Sequence, residues 1–135
     1  MILKRILPDE VAQKWSKVAP FIEDALLYAD GDYTLDQVRL AVVSNQWLLI
    51  GIFEGDFIKG ALTVSFINMP NDRIGFVTAI GGKNIFNKDT YKQLVEILKQ
   101  FGATKIQGGV RESIARLWRR VGFKERYILV ENDIC

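Results

Sequence analysis

The stretch RESIARLWRRVGF, Arg111 to Phe123, decides how the rest of the chain is read. Ile114, Leu117 and Val121 recur at i, i+3, i+7 and make one apolar face of a short helix; Arg116, Arg119 and Arg120 occupy the remainder. Gly122 stands where a helix C-terminus takes a residue tolerant of the left-handed conformation. Phe123 then turns the chain into a last predicted strand, Lys124 to Glu131. Upstream, Lys105 to Val110 reads as a strand. Before it lies a helix from Asn87 to Phe101 that buries Leu94, Ile97, Leu98 and Phe101 and stops at Gly102. Arg73 to Ile80 is a fourth strand and Phe57 to Asn68 a third, joined by the turn Met69-Pro70-Asn71-Asp72. Trp47 to Phe53 is almost wholly apolar, the mark of a central strand, and Glu54-Gly55-Asp56 closes its hairpin.

The N-terminal third is helical. Thr34-Leu35-Asp36-Gln37 has the spacing of a capping box and starts a helix from Leu35 to about Ser44. Pro8-Asp9-Glu10 opens an earlier helix, with its acids in the first turn, and Val11, Trp15 and Val18 form its apolar stripe. Pro20 is expected to break or kink that helix, leaving a second piece from Phe21 to Tyr28. Ile2 to Ile6, where apolar and basic residues alternate, is a first strand.

The chain has 135 residues, 49% of them apolar and 25% charged, which predicts one globular domain over residues 1–135. No apolar run approaches the ~20 residues of a membrane span. Met1 leads straight into strand-like sequence, so no signal peptide is expected and the cytoplasm is the expected compartment. The lone Cys135 has no internal disulfide partner, and histidine is absent. Together these speak against the usual zinc sites, Ser-His and Cys-His catalysis, and an imidazole base; no metal is expected. Net charge is +2 but uneven: residues 1–80 hold 7 Lys/Arg against 10 Asp/Glu, and residues 81–135 hold 11 against 6. The basic half suits a polyanion and the acidic half a cation, although solvated helix faces account for the split equally well.

The order β, two or three helices, β-β-β, α, β, α, β, closed by Gly122-Phe123, resembles the GNAT superfamily of acyl-CoA N-acyltransferases along essentially the whole chain. The segment Tyr33-Thr34-Leu35-Asp36, the step Ile80-Gly81-Gly82 and the compact size look like small GNAT-like proteins of phages and prophages, some of them virion-associated. The resemblance implies a mixed α/β fold: a twisted, mostly antiparallel sheet with a parallel splay between strands four and five, and helices on both faces. Trp47, Leu49, Ile50, Ile52, Leu62, Val64, Phe76, Val77, Leu94, Leu98 and Ile106 are the expected core.

The same resemblance implies acetyl-CoA as cosubstrate, its pantetheine arm lying along the backbone of strand four and its pyrophosphate on the amides of the next loop. Such a site needs unpaired N–H groups, glycines that permit close approach and a helix N-terminus. Val77, Thr78, Ala79, Ile80, Gly81, Gly82, Lys83, Asn84 and Asn87 occupy those positions, with Arg111 and Trp118 facing the cofactor from the last helix. Two departures stand out. The superfamily's Gln/Arg-x-x-Gly-x-Gly/Ala loop motif is absent, with Ile85 and Phe86 where a tight loop belongs. Trp118 occupies the position of the tyrosine that protonates the leaving thiolate, and an indole cannot act as that acid. Trp118 is expected either at the thioester end of an open cleft or, in a closed one, packed against Val77, Ile80 or Ile106.

Glu54 and Glu112 are the candidate general bases, with Asp72 behind them; turn chemistry and the helix dipole explain all three equally well. Glu23, Asp24, Asp30, Asp32 and Asp36 form an acidic wall suited to a cationic amine. Arg111, Arg116, Arg119, Arg120, Lys124 and Arg126 cluster in sequence, but a 3.6-residue period scatters them, so a solvated helix explains them better than a nucleic-acid surface. Two functions follow. One is acetyl transfer to a primary amine, in a phage or prophage setting. The other is a GNAT-like module without catalysis that binds or assembles with phage proteins or with itself, in the virion.

Overall fold

The computed structural model describes residues 1–134. Five strands form one sheet in the order β1 (Ile2–Ile6), β2 (Leu48–Glu54), β3 (Phe57–Asn68), β4 (Arg73–Gly82) and β5 (Lys105–Gly108). The first three pairings are antiparallel and β4–β5 is parallel, as expected for the splayed sheet. Helices α1 (Val11–Leu26) and α2 (Leu35–Val43) cover one face; α3 (Lys88–Lys99) and α4 (Glu112–Arg119) cover the other. Alternation along the strands feeds both layers. Leu48, Ile50 and Ile52 join Leu94, Leu98 and Trp118, whereas Leu49 joins Val18, Ile22 and Val38. No helix among the described residues is long and apolar enough to cross a membrane.

Three expectations are corrected. Pro20 does not divide the first helix, since α1 runs unbroken through it. Proline forfeits one backbone bond, but Val11, Trp15, Val18 and Ile22 are all buried on the same side, and that packing outweighs the local penalty. Trp47, Phe76 and Ile106, expected in the core, are only half-buried. Trp47 precedes β2 and meets Tyr33 edge-to-face at 4.9 Å, while Phe76 and Ile106 lie where the sheet ends at β5. Finally, residues 124–134 form no strand. A strand exists only through a partner ladder, and β5, only four residues long, is paired on the β4 side alone.

The capping signals read from sequence are present. Thr34 Oγ1 accepts from Gln37 N and Gln37 Oε1 accepts from Thr34 N, closing the capping box. At the end of α4, Gly122 has φ of 109° and Phe123 N donates to Trp118 O, which satisfies the last carbonyls.

Candidate active site

The parallel ladder between β4 and β5 ends early. Ile74, Gly75, Phe76 and Val77 pair with Lys105, Ile106, Gln107 and Gly108, but β4 continues to Gly82 with no strand on its β5 side. The divergence starts at a β-bulge. Thr63 opposes Ala79 and Val64 opposes Val77, leaving Thr78 as the extra residue of β4. Bulges bend and twist a strand locally, and this one turns the end of β4 away from β5. Thr63 is fully buried, and its hydroxyl oxygen lies 2.7 Å from that of Thr78, so the bulge carries its own polar partner.

A cleft of about 740 Å³ opens along the freed edge. Val77 through Asn84 form its floor, and alternate backbone amides of β4 point into it, away from β3. Phe21, Asp24 and Tyr28 make the wall at the end of α1; Gly109, Val110, Arg111 and Ile114 make the opposite wall. The Arg111 guanidinium carbon sits 3.7 Å from the centroid of the Tyr28 ring, a cation–π contact that bridges the two walls. Lys59, Lys83 and Arg111 give the cleft three cations against the single carboxylate of Asp24.

The Gly81-Gly82 step has a steric cause. A Cβ on Gly81 would lie 2.1 Å from Phe21 O, and one on Gly82 would lie 2.7 Å from Lys59 O. Both glycines remain within β4, opposite Ala61 and Gly60, where they let α1 and β3 approach the floor of the cleft. The bulky loop after them is also explained. Ile85 is buried in the core, and Phe86 stacks on Trp118 with centroids 5.8 Å apart. From Ile85 the loop therefore dives into the protein.

Sequence-expected residues divide cleanly. Val77, Thr78, Ala79, Ile80, Gly81, Gly82, Lys83, Asn84 and Arg111 line the cleft; Asn87 and Trp118 do not. Asn87 caps α3, its Oδ1 accepting from Thr90 N at 2.9 Å, while Thr90 Oγ1 donates to Ile85 O at 2.7 Å. Trp118 is 4% exposed and packs with Phe86, with Phe123 at 4.7 Å and against Gly108, yet the cleft beside it stays open. Neither candidate base is in the cleft lining. Glu54 is the exposed last residue of β2, and Glu112 is ion-paired with Arg119 outside the cleft; that pairing, with Glu125 also nearby, holds the Arg119 guanidinium above its ordinary value. Asp72 serves the sheet instead: Lys105 Nζ lies 3.0 Å from Oδ2 and Thr104 Oγ1 donates to Oδ1 at 3.0 Å, which lowers its pKa. The one acid of the expected wall found in the lining is Asp24. Sequence reasoning missed Lys59, Tyr28 and the Thr63–Thr78 pair; a lone hydroxyl inside the apolar run Ala61-Leu62-Thr63-Val64 was the available signal.

No family model matches the chain, and no curated protein matches it in sequence. Solved structures do. A probable acetyltransferase superposes with a TM-score of 0.71 at 10% identity, covering 98% of this chain and 100% of its own. An aminoglycoside acetyltransferase from an uncultured soil metagenomic sample, in complex with sisomicin, gives 0.73 at 8% identity, covering 98% and 95%. A predicted acetyltransferase with acetyl-CoA from Clostridium acetobutylicum gives 0.69 at 13% identity, covering 97% and 94%. The chain is similar to all three over nearly its full length, and its fold is that of the GNAT acetyltransferases.

Proposed function

We propose, from a GNAT fold with its β4–β5 splay open, that this chain transfers an acetyl group from acetyl-CoA to a primary amine. The observation that carries the reading is the unpaired edge of β4 from Thr78 to Gly82 along the floor of a cationic cleft. An amide-bearing pantetheine arm can complete that edge as an added strand. Lys59, Lys83 and Arg111 supply positive charge for its phosphates. The acetyl-CoA complex of the Clostridium neighbour, and the aminoglycoside acceptor of the metagenomic one, are parallels for the two ligand classes.

In this mechanism the amine nitrogen attacks the thioester carbonyl carbon, and a β4 amide stabilises the oxyanion as it forms. The C–S bond then breaks, the thiolate takes a proton from water, and the amide product loses its extra proton to water. Asp24, at the mouth of the cleft, attracts the cationic acceptor before it deprotonates. Isothermal titration with acetyl-CoA tests the reading. A saturable heat that weakens at least several-fold in Arg111→Ala is expected, and no heat at millimolar ligand overturns it.

A second reading is favoured by Trp118 and by α3. Trp118, whose indole offers no acid proton, stands at the position that the resemblance gives to an acidic tyrosine, and the first turn of α3 is already capped by Asn87 and carries Asp89. A binding or assembly module of the phage-encoded kind, keeping the fold without the chemistry, matches those two features. Co-purification with virion proteins, without acetyl-CoA binding, would favour it.

A further inference from the structure

The face that α1 turns to the cleft is built to hold a cation. Phe21, Asp24 and Tyr28 recur at i, i+3, i+7 and all line the cleft. α1 ends at Leu26, but Leu27 keeps helical dihedrals and Tyr28 N donates to Ala25 O at 3.1 Å, so Tyr28 sits one turn beyond Asp24. A carboxylate and the π-face of a phenol thus stand together at the negative end of a helix whose last turn has no basic residue. Asp24 makes no ion pair among the described residues. A cation does occupy the place. It is the Arg111 guanidinium, which reaches over from the opposite wall to 3.7 Å from the Tyr28 centroid.

That occupant is loosely held. Arg73, which covers Phe66 at 4.4 Å, is fixed there by hydrogen bonds from Nε to Phe101 O and from Nη1 to Asn68 Oδ1. Arg111 has no such anchors. Its side chain makes no ion pair among the described residues and no capping bond, and both it and Tyr28 are exposed. The ring offers the guanidinium a quadrupole, whereas a phosphate offers a full negative charge and two oxygens for its fork. Phosphates that enter the cleft therefore draw Arg111 off Tyr28 and leave the π-face bare.

We propose that Tyr28 and Asp24 are the subsite for a second, non-reacting cation of the acceptor, so that the acceptor is a polyamine in its simplest form. The inference deepens the acetyl-transfer reading and rests on it. The reacting amine itself does not suit this place. A nitrogen held against a carboxylate and a π-face is kept protonated, and a protonated amine has no lone pair with which to attack the thioester. The subsite therefore retains the far end of the acceptor and leaves the near end free to lose its proton. Until cosubstrate is bound, Arg111 stands in for that cation and shuts the subsite. The two ligands help one another: cosubstrate empties the subsite, and a cation on Tyr28 keeps Arg111 with the phosphates. The coupling is equal in both directions.

Isothermal titration of the full chain with spermidine, with and without saturating CoA, tests this; CoA carries the phosphates but no acetyl group, so nothing turns over. Spermidine is expected to bind the CoA complex at least tenfold more tightly than it binds the chain alone. It should also bind that complex at least tenfold more tightly than n-butylamine, which has a single nitrogen. Tyr28→Leu and Asp24→Asn should each weaken spermidine at least fivefold with far-ultraviolet dichroism unchanged. Tyr28→Leu should hold CoA at least as tightly as the native chain, because Arg111 no longer has to leave the ring. Tyr28→Phe keeps the π-face and should bind spermidine as the native chain does. If CoA binds but spermidine does no better than butylamine, or Tyr28→Leu leaves spermidine unaffected, the proposal is overturned and the acetyl-transfer reading stands. No heat with CoA itself overturns both.

Discussion

Thr63 and Thr78 form a hydroxyl pair at the bulge from which β4 diverges along the cleft. The Thr63 hydroxyl must find a partner because Thr63 is fully buried, and among the described residues its side-chain partner is Thr78. Thr78→Val leaves the Thr63 hydroxyl buried and unsatisfied, which should cost about 1–3 kcal/mol of stability. The double variant Thr63→Val, Thr78→Val should recover much of that loss, since both polar groups leave together. Urea denaturation of the two singles and the double checks this; additive losses would show that the pair does not interact. Trp118 teaches the complementary point. Its breadth and apolar character were legible in the sequence, but its partners, Phe86 from one loop and Phe123 from the next, were not.

At the level of elements, the N-terminus of α3 is where helix capping and anion binding would compete for the same backbone amides. A helix N-terminus whose first-turn amides are free attracts anions, and one whose cap is occupied does so less. Asn87 Oδ1 takes the Thr90 amide and Thr90 Oγ1 lies 3.0 Å from Asn87 N, so the α3 terminus is largely self-satisfied. Asn87→Ala should therefore lower stability by about 0.5–2 kcal/mol, with acetyl-CoA affinity changed less than twofold. Thermal melts paired with titration separate the two; a large loss of affinity with an unchanged melt would make Asn87 a ligand contact. The boundaries of α2 and β3 were legible because caps and turns are local signals. The continuity of α1 through Pro20 and the missing C-terminal strand were not, because both depend on what lies across the molecule.

For the molecule as a whole, Asp72 ties the β3–β4 turn to the start of β5 through Lys105 and Thr104, at the closed end of the splay. Those two hydrogen bonds hold its carboxyl below the usual carboxylate range. A pKa depressed by folding contributes stability above the unfolded value and loses it as pH falls through the folded one. Asp72→Asn should thus be less stable than the native chain at pH 7, with the difference shrinking below about pH 4. Urea midpoints at neutral and acid pH check the sign; a difference independent of pH would remove the ionic cause. By itself the sequence determined the order of strands and helices from β2 to α4, the helix caps, the parallel step between the fourth and fifth strands and the stretch of β4 that borders the cleft. These follow from periodicity, punctuation and a resemblance that spans the chain. Only the tertiary structure decided that Thr78 is a bulge, that Asp24 and Lys59 join the cleft while Glu54 and Glu112 do not, and that the last strand-forming segment finds no partner within its own chain. Each of those depends on register and on which surfaces meet, and distant residues meet through packing that local sequence does not encode.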